Sequence, residues 1–335
     1  VTGVQTCALP ICTSFAPKSF MHHISSSVNY IIQSEEYKRE YISKTLFQYT
    51  KSNIKVSGIL EERKDENIKK LLNENLQIII NCLNDNENIL MVVNKYDQAI
   101  IVSDYLNLIL SEYGYNNIVT ALRSDSDSNL NKENLKRSKI REFDNRILVA
   151  PAIAIERGHN IVDEFGNSKF DTLMFIVRPM SNPTDYEQHI KKVNGYIMNK
   201  YSKNVSEKRL DTYRKMRKDA FTIYNKLTRE NYGLSSLENE LRDDVTVTLF
   251  VIIQQIFGRL CRIADLNNMK YKPIKVYFMD GAFRAKKEGQ YDFLKELILY
   301  LDGLMANDKY SNIVKSLYEP FYLALKKGGN ISDEV

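Results

Sequence analysis

Five short apolar runs limit what this 335-residue chain can fold into. They are Ile89-Leu-Met-Val-Val-Asn94, Asn117-Ile-Val-Thr-Ala-Leu122, Ile147-Leu-Val-Ala150, Thr172-Leu-Met-Phe-Ile-Val177 and Lys275-Val-Tyr-Phe-Met279. Each is rich in β-branched residues, and none shows the regular apolar–polar alternation of a strand with one wet face. Residues from Asp97 to Glu112, after the first run, carry a helical pattern. Apolar strands separated by helices predict a parallel sheet buried on both faces and joined by right-handed crossovers. The fold class is therefore α/β.

The sequence around this frame reads as helical. Residues 13–86 are expected to be a helical segment in which Leu71, Leu72, Leu76, Ile79, Ile80 and Leu83 keep helical spacing. The sheet domain is expected over 87–305, with a helical tail at 306–335. A long excursion separates Val177 from the apolar stretch Val245–Phe257, which reads as a buried helix. Its part from Lys191 to Arg229 holds twelve Lys or Arg against Glu207, Asp211 and Asp219, with Tyr196, Tyr201, Tyr213 and Tyr224 interleaved. With no Pro or Gly between Gly195 and Arg229, this predicts a basic helical insertion at about 183–245. As a solvated surface it needs no partner; as a track for nucleic acid it would neutralise phosphates and stack tyrosines on unpaired bases.

Composition narrows the class further. With 43% hydrophobic and 27% charged residues the chain can bury a full core, and the net charge of +5 is too small to indicate a partner by itself. Cys7, Cys12, Cys82 and Cys261 make no C-x-x-C pair and no zinc spacing, so reduced thiols and a cytoplasmic location are expected, with no metal site in this chain. No apolar run is long enough to span a membrane. Val1–Ile11 resembles the translation of a sequencing adapter, so residues 1–12 are expected to be an artefact that replaces the chain's own start.

Two segments carry candidate chemistry. Gln255-Ile-Phe-Gly258-Arg259-Leu-Cys-Arg262 sets two guanidinium groups three residues apart, about one turn on a helix, and such forks suit phosphate oxygens. About a hundred residues upstream, the run Arg146–Pro151 leads into Ala-Ile-Ala-Ile-Glu-Arg157-Gly158-His159-Asn160, where Gly158 permits close backbone approach and Arg157 could meet a phosphate. Asn94-Lys95 and Arg123 follow the first two strands, where an open parallel sheet meets its ligands. Plainer readings exist: Asn94 as a helix cap, Arg123-Ser-Asp-Ser-Asp as a polar loop. His159 has no nucleophile beside it and reads as structural. Asp163-Glu164, preceded only by Ile161-Val162 and followed by Gly166, reads as a solvated turn.

The two segments, in this order and spacing, resemble motifs V and VI of superfamily 2 helicases, and Asn94-Lys95 resembles motif IV. Arg178-Pro179-Met-Ser-Asn-Pro183 before the insertion, and Lys275–Asp280 after it, are similar to the DinG-type iron–sulfur branch. The resemblance covers residues 70–305 and implies a RecA-like parallel sheet, the second motor domain of an ATP-dependent helicase. It implies that Arg259 and Arg262 act as arginine fingers, that Gly158, Asn160, Gln255 and Gly258 lie at the nucleotide, and that Asn94, Lys95, Arg123 and Arg157 hold single-stranded or duplex nucleic acid, DNA in particular. Pro151 stands where a hydroxyl is common and Asn160 where an acid is common, which weakens a hydroxyl–phosphate contact and removes a charge. No G-x-x-x-x-G-K-[ST] occurs. ATP and Mg²⁺ would therefore be held by a first RecA-like domain of the same polypeptide. Two rival readings use the same fold: a double-strand translocase of a restriction or anti-phage complex, and a nucleic-acid-binding protein without a motor. A metabolic nucleotide enzyme is disfavoured by the lack of G-x-G-x-x-G after Asn94.

Overall fold

A computed structural model describes residues 36–127, 134–155, 161–179, 186–201, 209–228, 239–263, 272–284, 291–308 and 311–329. Seven parallel strands form one open sheet: β1 (Leu46–Tyr49), β2 (Ile89–Val93), β3 (Val119–Arg123), β4 (Asn134–Lys136), β5 (Ile147–Pro151), β6 (Thr172–Phe175) and β7 (Lys275–Phe278). Their order across the sheet is β1-β7-β6-β2-β5-β3-β4. The central strand β2 sets Val92 opposite Ala150 of β5 and Phe175 of β6.

All five sequence-read runs are strands of this sheet. Their unbroken apolar character has a direct cause: successive residues feed two different cores. Leu90, Val92, Leu148, Ala150, Leu173 and Phe175 join one cluster, and Ile89, Met91, Val93, Ile147, Val149 and Met174 the other. Helices α2 (Lys64–Glu74), α3 (Leu76–Asn84) and α4 (Tyr96–Ser111) cover the second face. On the first face lie α6 (Tyr186–Tyr201), α7 (Arg209–Thr228), α8 (Asn239–Phe257), α9 (Phe293–Met305) and α10 (Ser311–Gly329). The short α5 (Ala152–Ile155) follows β5 and packs against α8. This is an α/β sheet with helices on both faces, consistent with a RecA-like fold.

Three expectations need correction. The segment 13–86 is not helical throughout: after α1 (Glu36–Ser43) it supplies β1, which pairs with β7 from Leu46↔Lys275 to Tyr49↔Phe278. The helix expected across Leu71–Leu83 divides at Asn75, whose buried amide donates to the Leu71 carbonyl at 2.7 Å, so that α2 stops and α3 starts anew. A further strand, β4, continues the sheet beyond β3 through a mostly polar sequence in which Leu135 alone is apolar and packs against the core. Residues 1–12, with Cys7 and Cys12, lie outside the described residues. Among the described residues no helix is long and apolar enough to cross a membrane.

Candidate phosphate and nucleic-acid site

The paired arginines do not share a helix face. α8 ends at Phe257; Gly258 N–H still donates to the Gln254 carbonyl at 2.8 Å, but Arg259 and Leu260 donate one residue shorter, to Ile256 and Phe257, each at 2.9 Å. This tightening, which starts at a glycine poorly suited to a helix interior, turns the chain into a bend that carries Arg259, Cys261 and Arg262. Gln255 and Gly258 are half-buried at its start.

The bend is fastened to the segment that follows β5. Arg259 Nε donates to the Ile155 carbonyl at 3.2 Å, and the Arg262 carbonyl accepts from Ser168 N–H at 2.9 Å. Ser168 belongs to a small hairpin in which Val162 bridges Ser168 and the Asp163 carboxylate accepts from Phe165 and Asn167 N–H at 3.0 and 2.9 Å. Asp163-Glu164 is therefore a self-capped turn. Arg157, Gly158, His159 and Asn160 lie outside the described residues, yet the chain on either side of them, at Ile155 and at Ser168, is tied to the arginine bend. Pinning a guanidinium by its Nε fixes the plane of its donor fork.

The other candidates stand elsewhere, after the carboxyl ends of their strands. Arg262's main chain is instead held at the approach to β6, where Lys169 Nζ donates to the Phe143 carbonyl and Asp171 N–H to the Asn88 carbonyl at 2.9 Å. The capping of α4 is done by Gln98, whose Oε1 accepts from Asn94 and Lys95 N–H at 3.1 and 3.2 Å. Asn94 spends its side chain on the Arg178 carbonyl at 3.1 Å. Lys95 Nζ meets Glu61 Oε1 at 2.5 Å, while Glu61 Oε2 takes Lys64 at the same distance. These two lysines hold the Glu61 carboxyl below the usual carboxylate range. Arg123 is occupied within its own loop by Asp127 at 2.5 Å. Asn94 and Arg123 thus have structural partners, and Lys95 has a competitor that the sequence reading did not contain.

Behind Asn94 lies a buried knot that ties β6, β7 and the segment after β1. Asp280 accepts four main-chain N–H groups: Val56, Ser57, Arg178 and Ala282, at 2.9 to 3.0 Å. Arg178 Nη1 donates to the Ala282 carbonyl at 2.6 Å. Burial opposes the charge on Arg178, and Asp280 beside it favours that charge. Asp280 was legible as a strand-terminal acid, but its partners Val56 and Ser57 are more than 200 residues away and no local pattern marks them.

The basic insertion separates its tyrosines. Tyr196 is buried, Tyr201 donates to Asp219 at 2.8 Å, and Tyr224 packs against the core, so of the four only Tyr213 is exposed. Cys82 is a buried thiol pushed up to about 12, chiefly by burial and then by Glu87; Cys261, in the bend, is likewise not in a disulfide. Among the described residues, no group of three or more His, Cys, Asp or Glu converges as a metal site would require. No protein-family model, no curated protein and no solved structure matches the chain.

Proposed function

We propose that this chain is the second motor domain of an ATP-dependent nucleic-acid helicase, and that its arginine bend completes the triphosphate site of a preceding motor domain. One observation carries the reading: the described chain on either side of Arg157–Asn160, at Ile155 and at Ser168, is bonded to the bend bearing Arg259 and Arg262, and the two stretches, separate in sequence, each resemble a helicase motif. The open parallel sheet and its helical insertion fit the same frame.

In this reading the first domain holds ATP with Mg²⁺, and the reaction supplied there is transfer of the γ-phosphoryl group to water. Arg259 and Arg262 place positive charge against the oxygens that gain charge in that transfer, an effect worth orders of magnitude in rate where an arginine finger is supplied to a phosphoryl-transfer site. Gln255 and Gly258 set where the bend begins. Lys95, once released from Glu61, meets the nucleic-acid backbone, with Asn94 and Arg123 at the carboxyl ends of their own strands beside the same edge of the sheet. Linking both segments to one bend gives a route by which triphosphate contact at Arg259 alters the chain leaving β5. The test is ATP turnover by the 335-residue chain alone and by the intact polypeptide that includes the preceding domain. Negligible hydrolysis by the first and strand-stimulated hydrolysis by the second are expected; turnover by the isolated chain would refute the division of labour.

A further inference from the structure

Helix α7 has two faces of opposite purpose. Inward, Ile223 is buried in the core and Met216 and Ala220 pack against it. Asp219, on the side towards α6, accepts from Tyr201 Oη and pairs with Lys200, each at 2.8 Å, which braces the two helices against each other. Outward, Leu210, Tyr213 and Phe221 are 75%, 61% and 69% exposed, large apolar groups left uncovered among the described residues. Arg214, Lys215, Arg217 and Lys218 stand exposed among them.

The helical repeat sorts these residues further. At about 100° per residue, Leu210, Tyr213, Arg214, Arg217 and Phe221 fall on one stripe about 100° wide. Tyr213 and Phe221 are eight positions apart, roughly 12 Å along the axis, with both arginines between them. Among the described residues, the acid Asp211 pairs with Arg214 at 3.7 Å. The stripe thus sets two guanidinium groups between two rings on a braced shelf and carries an excess of positive charge.

We infer that the outer face of α7 binds single-stranded nucleic acid, with Tyr213 and Phe221 stacking on unpaired bases and Arg214 and Arg217 on the phosphates between. The charge selects a polyanion, and the rings select one whose base faces are open; a duplex hides those faces and would use the arginines alone. The inference rests on the nucleic-acid half of the proposed function and adds to it both the strand class and the place.

Fluorescence anisotropy with the full 335-residue chain decides it, using a labelled oligothymidine of about 20 nucleotides and a duplex of equal length between about 50 and 200 mM salt. Changing Tyr213→Ala with Phe221→Ala should weaken single-strand binding by about tenfold per ring and leave duplex binding within about twofold. Changing Arg214→Gln with Arg217→Gln should lower the salt slope for the single strand by about 1.4. Wild-type protein that binds neither probe, equal losses on both probes, or aromatic variants that bind like wild type would each overturn the inference. So would aromatic variants that keep strand affinity but lose self-association or binding to anionic lipid vesicles. Failure here leaves Arg259-dependent ATP turnover untouched, and loss of that dependence leaves this binding untouched, so the two readings fail separately.

Discussion

The main-chain N–H of Arg178 donates to the carboxylate of Asp280 at 3.0 Å, joining the ends of β6 and β7 by a bond between residues 102 positions apart. Asp280 is 1% exposed and takes three further main-chain donors, so its charge is dispersed over four N–H groups and offset by the Arg178 guanidinium. An amide at this position offers only one oxygen and turns an NH₂ towards donors. Asp280→Asn should therefore destabilise the fold by about 3 kcal/mol, read as a lower urea midpoint at constant slope. A change under about 1 kcal/mol would show that the knot is not what holds this edge.

Gly281 continues the same knot. A Cβ there would lie 2.8 Å from the main-chain carbon and oxygen of Asn53 and from the Ile54 oxygen, while Gly281 N–H donates to that Ile54 oxygen at 2.7 Å. The neighbours are backbone and cannot swing aside. Gly281→Ala should cost about 1–3 kcal/mol through overpacking, again as a shift in urea midpoint. An alanine variant as stable as wild type would mean that the segment 50–58 shifts freely.

How much of this was readable beforehand depends on how far each signal reaches along the chain. The five core strands were legible because two-sided burial leaves unbroken apolar runs, and Val245–Phe257 was legible as a buried helix for the same reason. Leu46–Tyr49 was missed because an edge strand of four residues, with Gln48 and Tyr49 only partly buried, looks no different from its helical surroundings. Asn134–Lys136 has no apolar run at all. In the candidate site, the two motif-bearing segments were found by pattern, but their meeting depends on side-chain-to-main-chain bonds such as Arg259 to Ile155, 104 residues apart. Glu61 was unreadable as the partner of Lys95, since 34 positions and a whole helical layer separate them.

Alkaline stability should draw on Tyr291, one of several phenols raised by burial. Its phenol, buried and paired with Thr246 at 2.9 Å, is pushed from 10.0 up to about 12, chiefly by burial. The folded value lies above the unfolded one, so the native state keeps the proton while the unfolded chain releases it. The stabilisation is complete below about pH 10 and is lost as pH rises towards 12, at roughly 1.4 kcal/mol per pH unit for this group. Urea midpoints of wild type should fall through that window, and Tyr291→Phe should fall less steeply. Identical slopes would contradict the account.

Glu61 sits on Lys95 and Lys64 and must yield if Lys95 is to meet a phosphate. These are exposed pairs, each worth no more than about 1 kcal/mol. Glu61→Gln should therefore tighten single-strand binding by roughly two- to fivefold at low salt in an anisotropy titration. Unchanged affinity would remove Lys95 from the nucleic-acid interface.

In the proposed function the Arg259–Arg262 bend reaches into another domain's triphosphate site, and steady-state ATP hydrolysis by the intact polypeptide reads that contact. Arg259→Ala should lower kcat by about a thousandfold or more, with single-strand affinity unchanged within about threefold. Wild-type turnover in Arg259→Ala, or a loss of strand affinity with turnover intact, would contradict it.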